Sequence, residues 1–131
     1  MTQTIESVAA LAQRIRIMQA EQLHGQRLIL ALAGAPGAGK STVAEQLCSL
    51  LNRSGEQSDR GAIVVPMDGF HLDNALLRER ELMAIKGAPQ TFDVDGFAAL
   101  LHRLSVQDDA DVYIPVFDRA ADLSRNSARC V

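Results

Sequence analysis

Apolar positions fall into two kinds of pattern along this chain. Residues 5–24 repeat them at helical spacing: Ile5, Val8, Ala12 and Ile15 recur on one side, Arg14, Arg16, Gln19 and Glu21 are polar, and Gly25 supplies a stop. Leu28-Ile29-Leu30-Ala31-Leu32-Ala33 is short and continuous instead, which predicts a strand buried on both faces of a parallel sheet. A glycine-rich turn over 34–39 follows. From Lys40 to about Arg53 the spacing is helical again, with Val43, Leu47, Leu50 and Leu51 on one side and Ser54-Gly55 at the end. Beyond a polar loop at 55–60, Ala62-Ile63-Val64-Val65 predicts a second strand stopped by Pro66. Residues 73–85 read as a helix broken by Gly87-Ala88-Pro89, and Asp93 caps another that carries Phe97, Leu100, Leu101 and Leu104. Asp111-Val112-Tyr113-Ile114 predicts a third strand ended by Pro115, and residues 124–131 an interrupted helix. Strands alternating with helices predict an α/β class with a mainly parallel sheet. An N-terminal amphipathic helix (1–26) precedes the main body (27–131).

Composition narrows the function. At 131 residues the chain is one domain or part of one, and 47% apolar with 22% charged residues argues against disorder. A net charge of −3 gives no basic field for nucleic acid, and 4% aromatics without Trp give no base-stacking platform. Cys48 and Cys130 form neither a disulfide framework nor a zinc spacing, and Cys48 reads as a small core residue. The longest apolar run falls far short of the roughly 20 residues that span a bilayer. Met1–Ser7 has no basic segment leading into an apolar one, so no signal peptide is expected. These features predict a cytoplasmic protein with no membrane partner.

Gly34-Ala35-Pro36-Gly37-Ala38-Gly39-Lys40-Ser41 fits G-x-x-x-x-G-K-[ST] at every fixed position, and Thr42 continues it into the helix. Glycines let the backbone turn its N–H groups inward and let phosphate oxygens come close. The helix that follows aims its positive end at the same anion. Lys40 adds a point charge near the β and γ phosphates, and Ser41 offers a hydroxyl to Mg²⁺. The loop sits between an apolar strand and a helix, as the motif requires. An ordinary glycine-rich turn is the alternative. The motif alone does not fix the reaction.

Met67-Asp68-Gly69-Phe70-His71 follows the second strand, at the sheet edge where ligands of open α/β folds gather. Asp68 could take a proton from a hydroxyl or hold a water on Mg²⁺; alternatively it is a turn aspartate ahead of Gly69. With Lys86-Gly87-Ala88-Pro89-Gln90-Thr91-Phe92-Asp93 and Pro115-Val116-Phe117-Asp118-Arg119, these motifs resemble the pantothenate kinase, uridine kinase and phosphoribulokinase superfamily of P-loop kinases. The likeness runs from about residue 27 to 119 and is strongest to a bacterial branch labelled fructose-transport or nucleoside/nucleotide kinases.

The resemblance implies a three-layer P-loop NTPase fold and ATP-dependent phosphoryl transfer, with Mg²⁺, to a hydroxyl of a small molecule. It implies that Lys40 and Asp68 are catalytic and that Ser41 and Asp68 serve the metal. It also implies that His71, Lys86 and Arg119 bind the acceptor. Each of these three has a plainer reading: a satisfied loop histidine, a solvated helix-end cation, and a cation paired with Asp118 or Asp122. Family members continue into a further strand, an acidic residue and an arginine-bearing lid that this sequence lacks, so an incomplete, C-terminally truncated fold is expected. Its unpaired strand edges would favour self-association. A nucleotide-binding module without kinase activity and an inactive remnant are the alternatives.

Overall fold

The first helix, α1 (Val8–Glu21), starts where Ser7, in extended backbone, accepts the Ala10 N–H at 3.1 Å. Ser7 thus satisfies one of the donors a helix start leaves open. The computed structural model describes residues 7–22, 27–53, 61–106 and 111–131. The ends of the expected first helix, its Gly25 stop, the Ser54-Gly55 stop and the polar loop at 55–60 lie outside the described residues. The chain forms two compact units, Met1–Val64 and Val65–Val131.

In the first unit α1 packs on α2 (Lys40–Asn52). Ala12, Ile15 and Leu47 are buried between them, with Val8, Leu11, Leu28, Val43, Leu50 and Leu51 packed around that core. Arg16 donates from Nη2 to the Leu50 carbonyl at 2.8 Å and ties the two helices together. The expected apolar sides of both helices are the ones buried. Cys48, expected as a small core residue, is only half-buried.

The expected first two strands are not buried. Ile29, Leu30 and Leu32 are 41–47% exposed and Ile63 is 45% exposed. Among the described residues neither run belongs to a sheet. An apolar run becomes a central strand only where neighbours cover both faces and complete its ladder, so context overrides the pattern here. Ala62 is instead held by a side chain: Asn52 accepts its N–H at 2.7 Å and donates to its carbonyl at 3.0 Å.

The second unit is built on a hairpin. Strand β1 (Tyr113–Asp118) pairs antiparallel with β2 (Leu123–Cys130), and Val112 and Val131 extend the pairing through two further bonds of 2.8 and 3.3 Å. Two expectations are corrected. Pro115 does not end β1, because it sits opposite a bulge of Asn126–Ala128, where its missing N–H costs no ladder bond. Residues 124–131 are strand rather than interrupted helix, their backbone groups taken up by β1. Leu104 of α4 (Val94–Val106), Val112 and Ile114 are buried together, with Val65, Leu100 and Val131 packed on them. Asp93 caps α4 as expected, its Oδ1 accepting the Gly96 N–H at 2.9 Å.

The helix expected over 73–85 is shorter. Asp73 caps α3 (Asn74–Glu79), but Glu81 turns left-handed (φ +57°) and Leu82 N–H closes onto the Leu77 carbonyl at 2.8 Å. That six-to-one bond ends a helix, and no glycine announces it. A separate 3₁₀ turn, Met83–Ile85, follows.

Gly69 shows why the segment after the second apolar run carries a glycine. It is buried, and a methyl group built on it would fall on the Pro115 carbonyl of β1. Gly69→Ala should therefore destabilise the fold by about 1–3 kcal/mol, read from denaturant or thermal melts. A loss below about 0.5 kcal/mol, the range of an ordinary surface substitution, would show that β1 steps aside freely.

Candidate functional site

In the first unit the phosphate-loop motif forms a turn and a helix start. Gly37 and Gly39 take φ +74° and +81°, a region in which side chains are strained. Gly39 is the N-cap of α2 and offers no side chain to cover the helix end. The first helical bond runs from Val43 N–H to Gly39 O at 3.0 Å, so the N–H groups of Lys40, Ser41 and Thr42 precede the ladder. No acidic residue lies in that first turn. Lys40 folds back over the loop, donating from Nζ to the carbonyls of Gly34 and Ala35, both at 2.8 Å. N–H groups ahead of the helix ladder, a positive helix end and the Lys40 ammonium suit a polyphosphate. A cavity of about 520 Å³ lies along α2, lined by Thr42, Glu45, Gln46, Ser49, Leu50 and Arg53. It meets the motif only at Thr42, and its Glu45 carboxylate is unsuited to an anion.

In the second unit the expected site residues gather on one framework. Met67–Phe70 is a 3₁₀ turn that leads into His71. His71 pairs antiparallel with Phe92, through Leu72 N–H to Thr91 O at 2.9 Å and Asp93 N–H to Phe70 O at 2.8 Å. The His71 ring lies against Phe92 (4.1 Å between centroids) and Phe117 (4.8 Å), and its Nδ1 donates to the Asp68 carbonyl at 2.8 Å. Asp68 and Arg119 meet through Oδ2 and Nη2 at 3.1 Å. Arg119 therefore does not pair with Asp118 or Asp122. Asp118 faces Arg125 at 3.6 Å, and Asp122 faces Lys86.

Lys86 is not a solvated cation. Its side chain is 17% exposed and its Nζ donates to Asp122 Oδ1 and Asn74 Oδ1, both at 2.7 Å, 5.2 Å from the Phe117 ring centre. Asn74 in turn donates to the Asp122 carboxylate and carbonyl at 3.0 Å. Asn74 and Asp122 are partners of Lys86 that no sequence motif announces: their links to it span 12 and 36 residues. Thr91, fully buried, organises the segment after Lys86. Its hydroxyl accepts Gly87 N–H at 2.9 Å and donates to the Ala88 carbonyl at 2.7 Å. Among the described residues no group of three or more His, Cys, Asp or Glu side chains stands ready for a metal, and no helix is long and apolar enough to cross a membrane.

No family model matches the chain. It is similar to a "putative uridine kinase" of Schizosaccharomyces pombe, 38% identical over 103 residues, which cover 74% of this chain and 42% of that protein. It is also similar to the pantothenate kinase of Cronobacter sakazakii, 44% identical over 73 residues, 54% of this chain and 22% of that one. Among solved structures, a "putative fructose transport system kinase" from Silicibacter sp. TM1040 superposes with a TM-score of 0.83 at 45% identity. These likenesses to a uridine kinase, a pantothenate kinase and a fructose transport system kinase support the P-loop kinase superfamily. The chain covers 58% of the Silicibacter chain and less than half of either curated relative. The likeness to the Silicibacter structure covers 97% of the present chain.

The cluster has a signature in acid. Hydrogen bonds from Lys86 first, and then from Asn74, hold the Asp122 carboxyl below its ordinary range. A lowered folded-state value means the ionised group adds stability above about pH 4 and loses it as pH falls through the folded value. Asp122→Asn keeps the shape and tolerates the same backbone (φ +52°), so it isolates the charge. The variant should melt below the parent near neutrality, with the difference closing in acid. A difference independent of pH would show that the charge contributes nothing.

Proposed function

We propose that this chain is the N-terminal part of an ATP-dependent kinase that passes a phosphoryl group to a hydroxyl of a small molecule. The observation that carries the reading is the phosphate loop with Lys40 folded over it at the open start of α2. The Gly34–Ser41 loop and Thr42 hold the phosphates through backbone N–H groups, which Pro36 alone of them lacks, and Lys40 exchanges its two loop carbonyls for phosphate oxygens. Ser41 would hold Mg²⁺, which would supply charge neutralisation at the phosphates. The exposed Ser41 and a first turn free of carboxylates fit both groups. Asp68 orients or deprotonates the acceptor hydroxyl, or holds a metal-bound water, with Arg119 balancing its charge. His71 and Lys86 line the acceptor side. In the complete fold, Leu28–Ala33 and Ala62–Val65 join a mainly parallel sheet, and the enzyme acts in the cytoplasm on soluble substrates.

One observation favours a second reading, in which these 131 residues work only when other strands cover them. Ile29, Leu30, Leu32 and Ile63 stand 41–47% exposed, an apolar surface that invites self-association.

Thermal melts of the chain with and without Mg-ATP, beside Lys40→Ala, separate the two readings. The expected result is a cooperative melt that Mg-ATP raises by several degrees, since ligand at 100 times its Kd adds about 2.7 kcal/mol. Lys40→Ala should lose that shift. Absence of any cooperative transition would support the second reading, and ATP hydrolysis indifferent to every acceptor would point to a nucleotide-binding module without transfer. In a relative of full family length that carries the same Asp-Gly-Phe-His segment, the variant equivalent to Asp68→Asn should lower transfer by about 100-fold or more while nucleotide still binds. Turnover within tenfold of the parent would remove Asp68 from the chemistry.

A further inference from the structure

The acceptor-side cluster carries information about what it accepts. A carbonyl oxygen can only accept a hydrogen bond, so the 2.8 Å contact with Asp68 O places a proton on His71 Nδ1. In the neutral ring, Nε2 is then the lone-pair nitrogen. Nε2 has no hydrogen-bond partner among the described residues, and it is not a buried atom. The Phe92 and Phe117 rings fix the imidazole plane, so this lone pair is presented in one orientation. It suits a donor, as a hydroxyl is. It repels a phosphate or carboxylate oxygen, which brings only lone pairs.

The charges around it agree. Among the described residues, three cations of this unit face a carboxylate: Lys86 faces Asp122 at 2.7 Å, Arg119 faces Asp68 at 3.1 Å, and Arg125 faces Asp118 at 3.6 Å. The three pairs sum to zero. Lys86 is the least exposed of these cations, and both Asn74 and Asp122 hold it in place. An anionic acceptor there would meet cations that each already face a carboxylate, which would stand beside the new anion.

We propose that the cluster around His71 takes an uncharged, hydroxyl-bearing acceptor, with His71 Nε2 accepting a hydrogen bond from one of its hydroxyls. This rests on the reading of the cluster as the acceptor side of a kinase, and it deepens that reading by choosing between neutral and anionic acceptors.

The test is NMR of the full chain with ¹⁵N-labelled histidine. Long-range proton–nitrogen spectra identify the tautomer of His71 and follow Nε2 during titration. The probes are matched pairs: sorbitol with sorbitol 6-phosphate, and uridine with uridine 5′-monophosphate. The expected result is the Nδ1–H tautomer, with the uncharged member of at least one pair shifting Nε2 and binding about tenfold more tightly than its phosphorylated counterpart. A neutral ring protonated at Nε2 would overturn the proposal. Tighter binding of the phosphorylated members would also overturn it, while leaving the acceptor-side reading intact, with Arg119 as the group that leaves Asp68 to receive them. If neither member of any pair moves His71, both the proposal and the acceptor-side reading fail. Nucleotide binding at the phosphate loop, read by the Mg-ATP melt, is unaffected by that outcome.

Discussion

Backbone groups outside helices and ladders need other hydrogen-bond partners, and among the described residues several of them take side chains. Lys40 closes the carbonyls of Gly34 and Ala35, Asn52 closes both groups of Ala62, and His71 closes the carbonyl of Asp68. Thr91 joins Gly87 to Ala88, and Asp118 Oδ1 accepts the N–H groups of Ala120 and Ala121 at 3.0 and 3.1 Å. The same bonds that satisfy the backbone also aim the functional groups. Lys40 is held over the glycine-rich loop by its two bonds to the Gly34 and Ala35 carbonyls. The Thr91 bonds fix the turn that carries Lys86, and the Asp118 bonds fix the turn that carries Arg119 and Asp122. Site geometry and backbone satisfaction are one requirement here, which is why buried Thr91 matters as much to the cluster as the charged residues do.

What was legible in the sequence follows from how local each feature is. The phosphate loop, the helix after it and the Asp93 cap depend on residues within one turn of one another, and the structure forms them where the pattern places them. The hairpin depends on partners at a distance. Leu-Ser-Arg-Asn-Ser-Ala-Arg-Cys has no alternating apolar face and little β-propensity, so nothing in it announces β2. It becomes strand because β1 supplies the ladder. Pro115 misleads for the opposite reason: proline usually ends a strand, but the bulge opposite it removes the bond it cannot make. Leu28–Ala33 misleads as well, because an apolar run specifies what a strand needs and not whether its neighbours are present.

The site divides along the same line. Asp68, His71, Lys86 and Arg119 are legible through their motifs, and the structure joins them: Asp68 to Arg119 through side chains, His71 to Asp68 through the main chain, and Lys86 to His71 across the Phe117 ring. Their neighbours are not legible. Phe92 and Phe117 read as ordinary apolar residues until the His71–Phe92 pairing and β1 bring them to the imidazole. The choice between Asp118, Asp122 and Asp68 as partner for Arg119 could not be made from proximity in sequence. The pair that forms is the one 51 residues apart, because each nearer carboxylate already has a cation of its own.

Asp122 shows how a residue without a motif can still be tightly constrained. Its backbone is left-handed, a conformation that costs most side chains about 1 kcal/mol or more and that Asp and Asn tolerate best. Its carboxylate faces an ammonium that is only 17% exposed, and such a group needs an anion to offset lost hydration. Glycine would meet the first demand and glutamate the second. Asparagine meets the first and offers Lys86 an oxygen without a charge. Aspartate alone satisfies both, and by doing so it pairs a cation that lies 5.2 Å from the Phe117 ring. A position chosen to close a tight turn thereby also sets the charge of the surface beside His71.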